Sequence, residues 1–214
     1  GLEPPYEALF AWASGSGARP QSRDPVPFRP PMLAHPLDED DLEGLDPADF
    51  LAEWKWDGIR VQAASARDPD GRIVRRICSR TGEDISLAFP DLLEALPDET
   101  VIDGELLILR AGRVQSFNVL QQRLNRKSVS RKLMADFPAH IRAYDLLARG
   151  AEDLRALPFA ARRDALEEKA ASWDTDRFSL SPLVPFDDWE ALAAARADPA
   201  QAGAGEDSAA VEGL

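Results

Sequence analysis

The 214-residue sequence predicts an α+β fold in which antiparallel β-sheets are flanked by helices. Three observations carry this expectation. Residues 59–64 and 73–79 are strand-like runs, and Arg67-Asp68-Pro69-Asp70-Gly71-Arg72 between them has the Pro and Gly of a reversing turn. Helical segments are scattered among the strands instead of alternating with them one for one. No glycine-rich strand–loop–helix motif occurs, which excludes the usual phosphate-loop class of nucleotide binders.

The elements follow in chain order. Residues 5–14 read as a short helix with Tyr6, Leu9, Phe10 and Ala13 near one face, ended by Gly15-Ser16-Gly17. Residues 20–36 carry Pro20, Pro25, Pro27, Pro30, Pro31 and Pro36, so they are expected as an extended linker entering the main domain near Met32-Leu33-Ala34. Residues 38–51 are an acidic loop with a short helix. The strand through Lys55 is expected to continue over residues 59–64. Arg80-Thr81-Gly82-Glu83-Asp84-Ile85 is either a polar turn or an arginine placed at a strand end to reach phosphate with its forked donors.

Residues 89–96 form a short helix opened by Pro90. Residues 101–109 are a strand interrupted by Asp103-Gly104-Glu105. Two carboxylates there are either exposed by a bulge or matched by a metal, sugar hydroxyls or a lysine. Residues 117–125 read as a helix with Leu120 and Leu124 inward and Gln121, Gln122 and Arg123 on other faces. Residues 141–147 form a strand holding Tyr144-Asp145. A helix over 158–171 starts at Pro158 and carries Arg162-Arg163 and Leu166 at helical spacing. Residues 178–184 are a strand, Asp187 caps a helix over 188–197, residues 203–207 are a loop, and 209–214 are apolar.

Composition narrows the function. A 44% hydrophobic and 29% charged chain is globular, without a signal peptide or an apolar run of membrane-spanning length. The single cysteine, Cys78, excludes an internal disulfide and fits a reducing cytoplasm. His35 and His140 have no metal-ligand spacing to it or to each other, which excludes a zinc site. A net charge of −13 argues against a protein that coats nucleic acid. Yet residues 106–135 contain no acid and hold Arg110, Arg113, Arg123, Arg126, Lys127, Arg131 and Lys132. This stripe is either a solvated face or a dock for a phosphate backbone.

The stretch Glu53-Trp54-Lys55-Trp56-Asp57-Gly58-Ile59-Arg60 is the densest in chemistry. A lysine between tryptophans suggests an amine at the edge of an apolar pocket. Desolvation and the nearby arginine would lower its pKa and favour the nucleophilic form. The plain alternative is a snorkelling lysine at a strand end before an Asp-Gly turn.

Taken together and in order, these motifs resemble the adenylation domain of ATP-dependent DNA ligases, a nucleotidyltransferase (ATP-grasp-like) fold with the nucleotide between its sheets. Lys55-Trp56-Asp57-Gly58-Ile59-Arg60 looks like the nucleophile motif, and Ser79-Arg80-Thr81-Gly82-Glu83 like the second. Asp103-Gly104-Glu105-Leu106, Tyr144-Asp145-Leu146-Leu147 and Glu212-Gly213-Leu214 resemble those that follow. Trp54-Lys55-Trp56-Asp57-Gly58-Ile59-Arg60, together with residues 117–127, is similar to a bacterial branch tied to the cisplatin-damage response.

The resemblance implies that Lys55 attacks the α-phosphate of ATP to form lysyl-AMP, and that AMP then passes to the 5′-phosphate of nicked double-stranded DNA. It implies Glu53 near the adenine amino group, Tyr144 on the adenine ring, Arg60 and Glu105 at the ribose, and Arg80 at phosphate or the DNA end. Asp103 and Glu212 would sit near Mg2+, and Arg123, Arg126, Lys127, Arg131 and Lys132 would face DNA. A helicase and an exonuclease of the same repair system, a monomeric state, no membrane partner and a bacterial cytosolic or nucleoid location are further implications. Residues 32–214 would be the adenylation domain, cut short before the paired-lysine motif and the OB-fold domain, with 1–31 a remnant of an N-terminal region. An RNA ligase, a capping-type guanylyltransferase and a non-catalytic nucleic-acid-binding module are the alternatives that the motifs leave open.

Overall fold

The computed structural model describes residues 6–18, 24–124 and 126–214. Pro5, Pro20 and Asn125, which the sequence placed in a helix, a linker and a second helix, lie outside that set. Helix α1 (Glu7–Ala13) buries none of its residues. From Asp24 onward the proline-rich stretch is packed on the sheet and does not act as a free linker. Val26 is buried with Ala64, Val101 and Leu147, and Asp24 binds Arg76 at 2.6 Å. The Gln62 side-chain amide accepts from the Arg29 N–H at 2.8 Å and donates to the Arg29 carbonyl at 2.7 Å. Proline has no N–H to offer, so sheet side chains satisfy the backbone groups that this segment retains.

The acidic stretch that follows holds the short helix α2 (Glu39–Leu42), and then the strands begin. Strands β1 (Ala52–Glu53) and β2 (Lys55–Trp56) are short, and Asp57-Gly58 separates β2 from β3 (Ile59–Arg67). The single strand expected through Lys55 is therefore two strands in different sheets. Gly58 permits the switch: a Cβ there would stand 2.5 Å from the Leu106 carbonyl oxygen. β3 turns at Asp68, whose Oδ1 accepts from the Asp70 and Arg72 N–H groups, and returns as β4 (Ile73–Ser79) in antiparallel register.

Helix α3 (Pro90–Ala95), with Pro90 in its first turn, leads to the central strand β5 (Thr100–Arg110). β5 folds back on β6 (Arg113–Val114) and pairs antiparallel with β3 on one side and β7 (Ala139–Arg149) on the other. β8 (Glu152–Asp153) follows β7, and β9 (Phe178–Leu180) runs parallel to it. The main sheet has the order β4-β3-β5-β7-β8. β10 (Leu183–Val184) pairs with β1, and β11 (Val211–Gly213) with β2. The strand expected over 178–184 is thus split at Ser181, whose N–H donates to the Ala143 carbonyl.

The expected helix over 117–125 stops early. α4 (Phe117–Leu120) gives way to turns because Arg123 folds inward, and α5 (Arg131–Asp136) follows, capped by Ser130. α6 (Phe159–Ala170) starts after Pro158, and α7 (Trp189–Ala197) is capped by Asp188, not Asp187. The loop expected over 203–207 is instead part of two irregular helical turns that kink at Gly203 and Gly205, both at positive φ.

The two faces of the main sheet differ. One buries Val61, Ala63, Ile102, Leu106, Ile141 and Ala143 under α3, α4 and α6. The other is apolar only at its ends, around Val26 and Leu147 and around Trp54, Trp56 and Leu107. Between those ends lie Arg60, Gln62, Asp103, Glu105, Arg142 and Asp145, aligned across β3, β5 and β7 by register. The β5–β7 pairing slips by one residue between Asp103↔Asp145 and Gly104↔Ala143, so Tyr144 is a bulged residue.

Arg123 corrects the sequence reading most plainly. Assigned to the DNA-facing stripe, it is completely buried and bound to both Asp91 oxygens at 2.6 and 3.3 Å. It also donates to the carbonyls of Ala88 and Phe137. An arginine with no solvent access cannot contact a phosphate backbone, so it is an anchor for the turn that follows α4. Breaking a buried pair leaves its partner uncompensated. Arg123→Met is expected to cost about 3–5 kcal/mol in denaturant unfolding, and the double variant with Asp91→Leu is expected to recover much of it.

Candidate active site

Lys55 sits at the mouth of a cavity of about 810 Å³. Strand alternation turns both flanking indoles into the cluster with Leu107 and Val184, which leaves the lysine facing outward with its side chain 68% exposed. The expected desolvated, acid-shifted amine is not what the structure holds. Lys55 Nζ is 2.6 Å from Glu212 Oε2. That hydrogen bond, and then the Glu212 charge, hold the ammonium above its ordinary pKa. β11 brings Glu212 there by pairing with β2, with the Ala210 carbonyl accepting from the Asp57 N–H at 2.8 Å.

Glu53, Arg60, Arg80, Glu105 and Tyr144 line the same cavity, together with Glu212. Leu33 and Ala34 of the proline-rich segment and Phe117 of α4 complete it. Asp103, paired with Glu212 from the sequence as a candidate metal ligand, is not in the lining. Its side chain is 2% exposed, and both oxygens are taken by Arg60, Nε at 3.1 Å and Nη2 at 2.7 Å. Arg60 Nη2 also donates to the Met32 carbonyl at 2.8 Å, and its guanidinium lies 5.6 Å from the Tyr144 ring centre. Asp103 is therefore the anchor of Arg60.

Glu105 stands directly across from Arg60 in the β3–β5 register, yet its side chain forms no hydrogen bond or ion pair among the described residues. Burial pushes its carboxyl up to about 8, against the pull of Arg60 and with help from Asp103, Glu212 and Asp57. Gly104 beside it is obligatory, since a Cβ would meet the Arg142 carbonyl oxygen at 2.6 Å. Tyr144 projects from its bulge, with its hydroxyl held far above its ordinary value by burial and then by the Asp103 charge. Arg80 is exposed on the turn after β4, where Gly82 at φ +87° packs on Phe28.

Glu53 is pushed up to about 7 by burial, against the opposing charge of Arg163, whose Nη1 is 3.0 Å away. Arg163, Arg162 and Arg142 were not singled out as site residues from the sequence. Arg162 binds both oxygens of Asp145, next to Tyr144. Arg142 lies 4.0 Å from the Trp56 ring centre and pairs with Asp207 at 2.6 Å. The available signal was two adjacent arginines in an Ala-rich helix and one inside an apolar strand, since buried cations are retained only with partners.

Arg126, Lys127, Arg131 and Lys132 are all exposed. Lys132 is tied to Asp136 at 2.6 Å, and Arg126 donates to the Gln122 carbonyl. Among the described residues, no three His, Cys, Asp or Glu side chains converge as a metal centre. Magnesium asks less of a protein: one or two carboxylates beside substrate phosphates suffice, and Glu212 meets that requirement.

A cavity between a main sheet and two short ones, with carboxylates in its wall and an exposed lysine at its mouth, is the arrangement of a nucleotidyltransferase domain of the ATP-dependent ligase type. The chain belongs to the family described as "ATP dependent DNA ligase domain", which matches residues 31–204. It is 34% identical to the DNA ligase of Haloferax volcanii over 168 residues, 73% of this chain and 28% of that protein. To DNA ligase C1 of Mycolicibacterium smegmatis it is 41% identical over 124 residues, 54% of this chain and 34% of that one. A mycobacterial DNA ligase D complexed with ATP and MES superimposes with a TM-score of 0.54 at 30% identity, over 72% of this chain and 46% of that one. The ligase domain of LigD from M. tuberculosis gives 0.53 at 29%, over 73% and 47%. The chain spans about a fifth to a third of the length of the curated relatives it matches.

Glu53 and Glu105 make stability depend on pH. Each holds its proton in the fold after the unfolded chain, titrating near 4.5, has lost it. Their contribution to stability is therefore largest below that value and is lost as pH rises to about 8. Glu105→Gln is expected to stabilise the nucleotide-free chain by at least about 1 kcal/mol at pH 9 and to change little at pH 4, read by denaturant unfolding.

Proposed function

We propose that this chain is the adenylation domain of an ATP-dependent DNA ligase, residues 32–214 forming the catalytic unit and Lys55 its nucleophile. The observation that carries the proposal is the placement of Lys55 at the mouth of a cavity walled by Glu53, Arg60, Glu105 and Tyr144, in a member of this ligase family. Freed of its contact with Glu212, the Lys55 ammonium loses a proton to water, and the amine attacks the α-phosphorus of ATP. An N–P bond forms, the bond from that phosphorus to the bridging oxygen breaks, and pyrophosphate leaves with the electron pair. AMP then passes from Lys55 to the 5′-phosphate at a nick, and the 3′-hydroxyl displaces it.

In this reading Tyr144 stacks on the adenine ring, Glu53 accepts from its amino group, and Glu105 accepts from the ribose hydroxyls. Arg60 carries positive charge to the cavity floor on a fixed mount, and Arg80 reaches phosphate. Magnesium, when bound with the triphosphate, neutralises charge on the departing pyrophosphate, and Glu212 is the carboxylate that would hold it. Arg126, Lys127, Arg131 and Lys132 face the DNA backbone. We assign complete ligation to the longer protein that carries this domain, acting in the bacterial cytosol with a helicase and an exonuclease.

Lys55→Ala is expected to abolish attachment of AMP, read by intact-protein mass after incubation with ATP and magnesium. Its unfolding curve should stay close to that of the wild type, because the side chain is largely exposed. Adenylation that persists at the wild-type rate refutes the assignment. Reversing charge at Arg126 and Lys127 is expected to weaken nicked-DNA binding while ATP binding holds, and to lower the salt slope of DNA binding by about 2. Equal losses for both ligands would sink the DNA-facing role.

A further inference from the structure

Glu53 is held by a helix that lines no part of the nucleotide cavity. Arg163 of α6 is buried, with its side chain 7% exposed, and its guanidinium is tied at three points. Nη1 donates to Glu53 Oε1 and to the Ser181 carbonyl, each at 3.0 Å, and Nε donates to Glu167 Oε1 at 2.7 Å. The donor that meets Glu53 is thus fixed by the helix on one side and by the chain between β9 and β10 on the other. Among the described residues no comparable restraint reaches the second oxygen of Glu53, whose side chain lines the cavity.

We infer that Arg163, acting through Glu53, sets the preference of this site for adenine over guanine nucleotides. It is a positioning residue, and the inference rests on the reading of the cavity as a nucleotide site. An ionised carboxylate only accepts hydrogen bonds. It suits a base edge with an exocyclic amino group and is mismatched to one with an oxo group, where two acceptors face each other unpaired. A protonated carboxyl donates, and the oxo edge becomes an acceptable partner.

Arg163 decides between these two states. Burial works against the charge on Glu53, and so does Asp145 of β7. Arg163 is the opposing cation, while Arg162, its neighbour on α6, matches Asp145 with two bonds at 2.8 and 2.9 Å. Two adjacent helical arginines therefore balance the two carboxylates behind the base end of the cavity. Without Arg163, Glu53 keeps its desolvation, loses its cation and is free to rotate.

The test measures AMP and GMP attachment to Lys55 from ATP and GTP, with full concentration series, in the protein that carries this domain and in four variants: Arg163→Met, Arg163→Lys, Glu53→Gln and the double variant Glu53→Gln with Arg163→Met. Arg163→Met is expected to reduce the ATP-over-GTP ratio of kcat/KM by about tenfold, mainly through a raised KM for ATP. Arg163→Lys keeps the cation and is expected to restore most of the ratio. In a Glu53→Gln background, Arg163→Met is expected to change the ratio no further. An unchanged ratio in Arg163→Met, or a further drop in the Glu53→Gln background, overturns the inference. An equal loss with both nucleotides also overturns it, because that is what a purely structural arginine would produce. If Arg163→Met does not fold, Arg163→Gln, which keeps a polar side chain but not the cation, takes its place under the same criteria. Failure of the wild-type protein that carries this domain to attach either nucleotide would instead refute the nucleotide reading itself.

Discussion

Charge on a sheet face that water barely reaches has to be matched side chain by side chain, and the site is organised around that requirement. Asp103 in the middle of β5 is nearly inaccessible, and Arg60 from β3 covers both of its oxygens. The same arginine ties the Met32 carbonyl of the proline-rich segment to the sheet and lies beside the Tyr144 ring. One ion pair thus joins the cavity floor, one of its walls and its aromatic side. Desolvation makes such a pair weak evidence for net stability and strong evidence for fixed geometry, because removing one member strands the other.

Beside that matched pair, the Glu105 side chain has no hydrogen-bond or ion-pair partner among the described residues, although its register places it next to Arg60. Its high pKa is the cost of keeping an acceptor pointed into a cavity. Lys55 and Glu212 make the opposite arrangement, an exposed pair at the cavity mouth. The carboxylate there holds the amine in its charged form, so in the proposed reaction the two must first separate. Arg60 and Asp103 are paired deep in the site, and the rim groups are exposed.

Much of this was legible in the residues. The β3–β4 hairpin follows from Asp68, Pro69 and Gly71, the start of α3 from Pro90, and the outward lysine from alternation between two tryptophans. Local rules failed where a distant partner intervened. Arg123 reads as one more cation in an acid-free stretch, but Asp91 draws it inside and ends α4 early. Residues 24–29 read as a linker until Gln62 and Arg76 claim their backbone and side chains.

By itself, the sequence determined the β3–β4 hairpin, the start of α3 and the glycines on which the sheet switch and the β5–β7 crossing depend. These follow from backbone sterics and hydrogen-bonding capacity over a few neighbouring positions. Tertiary structure alone decided which carboxylate lies on Lys55, which arginine holds Asp103, and that α6 stands behind Glu53. Those choices are electrostatic pairings between residues about 40 to 160 positions apart, settled only when burial removes the water that each charge would otherwise keep.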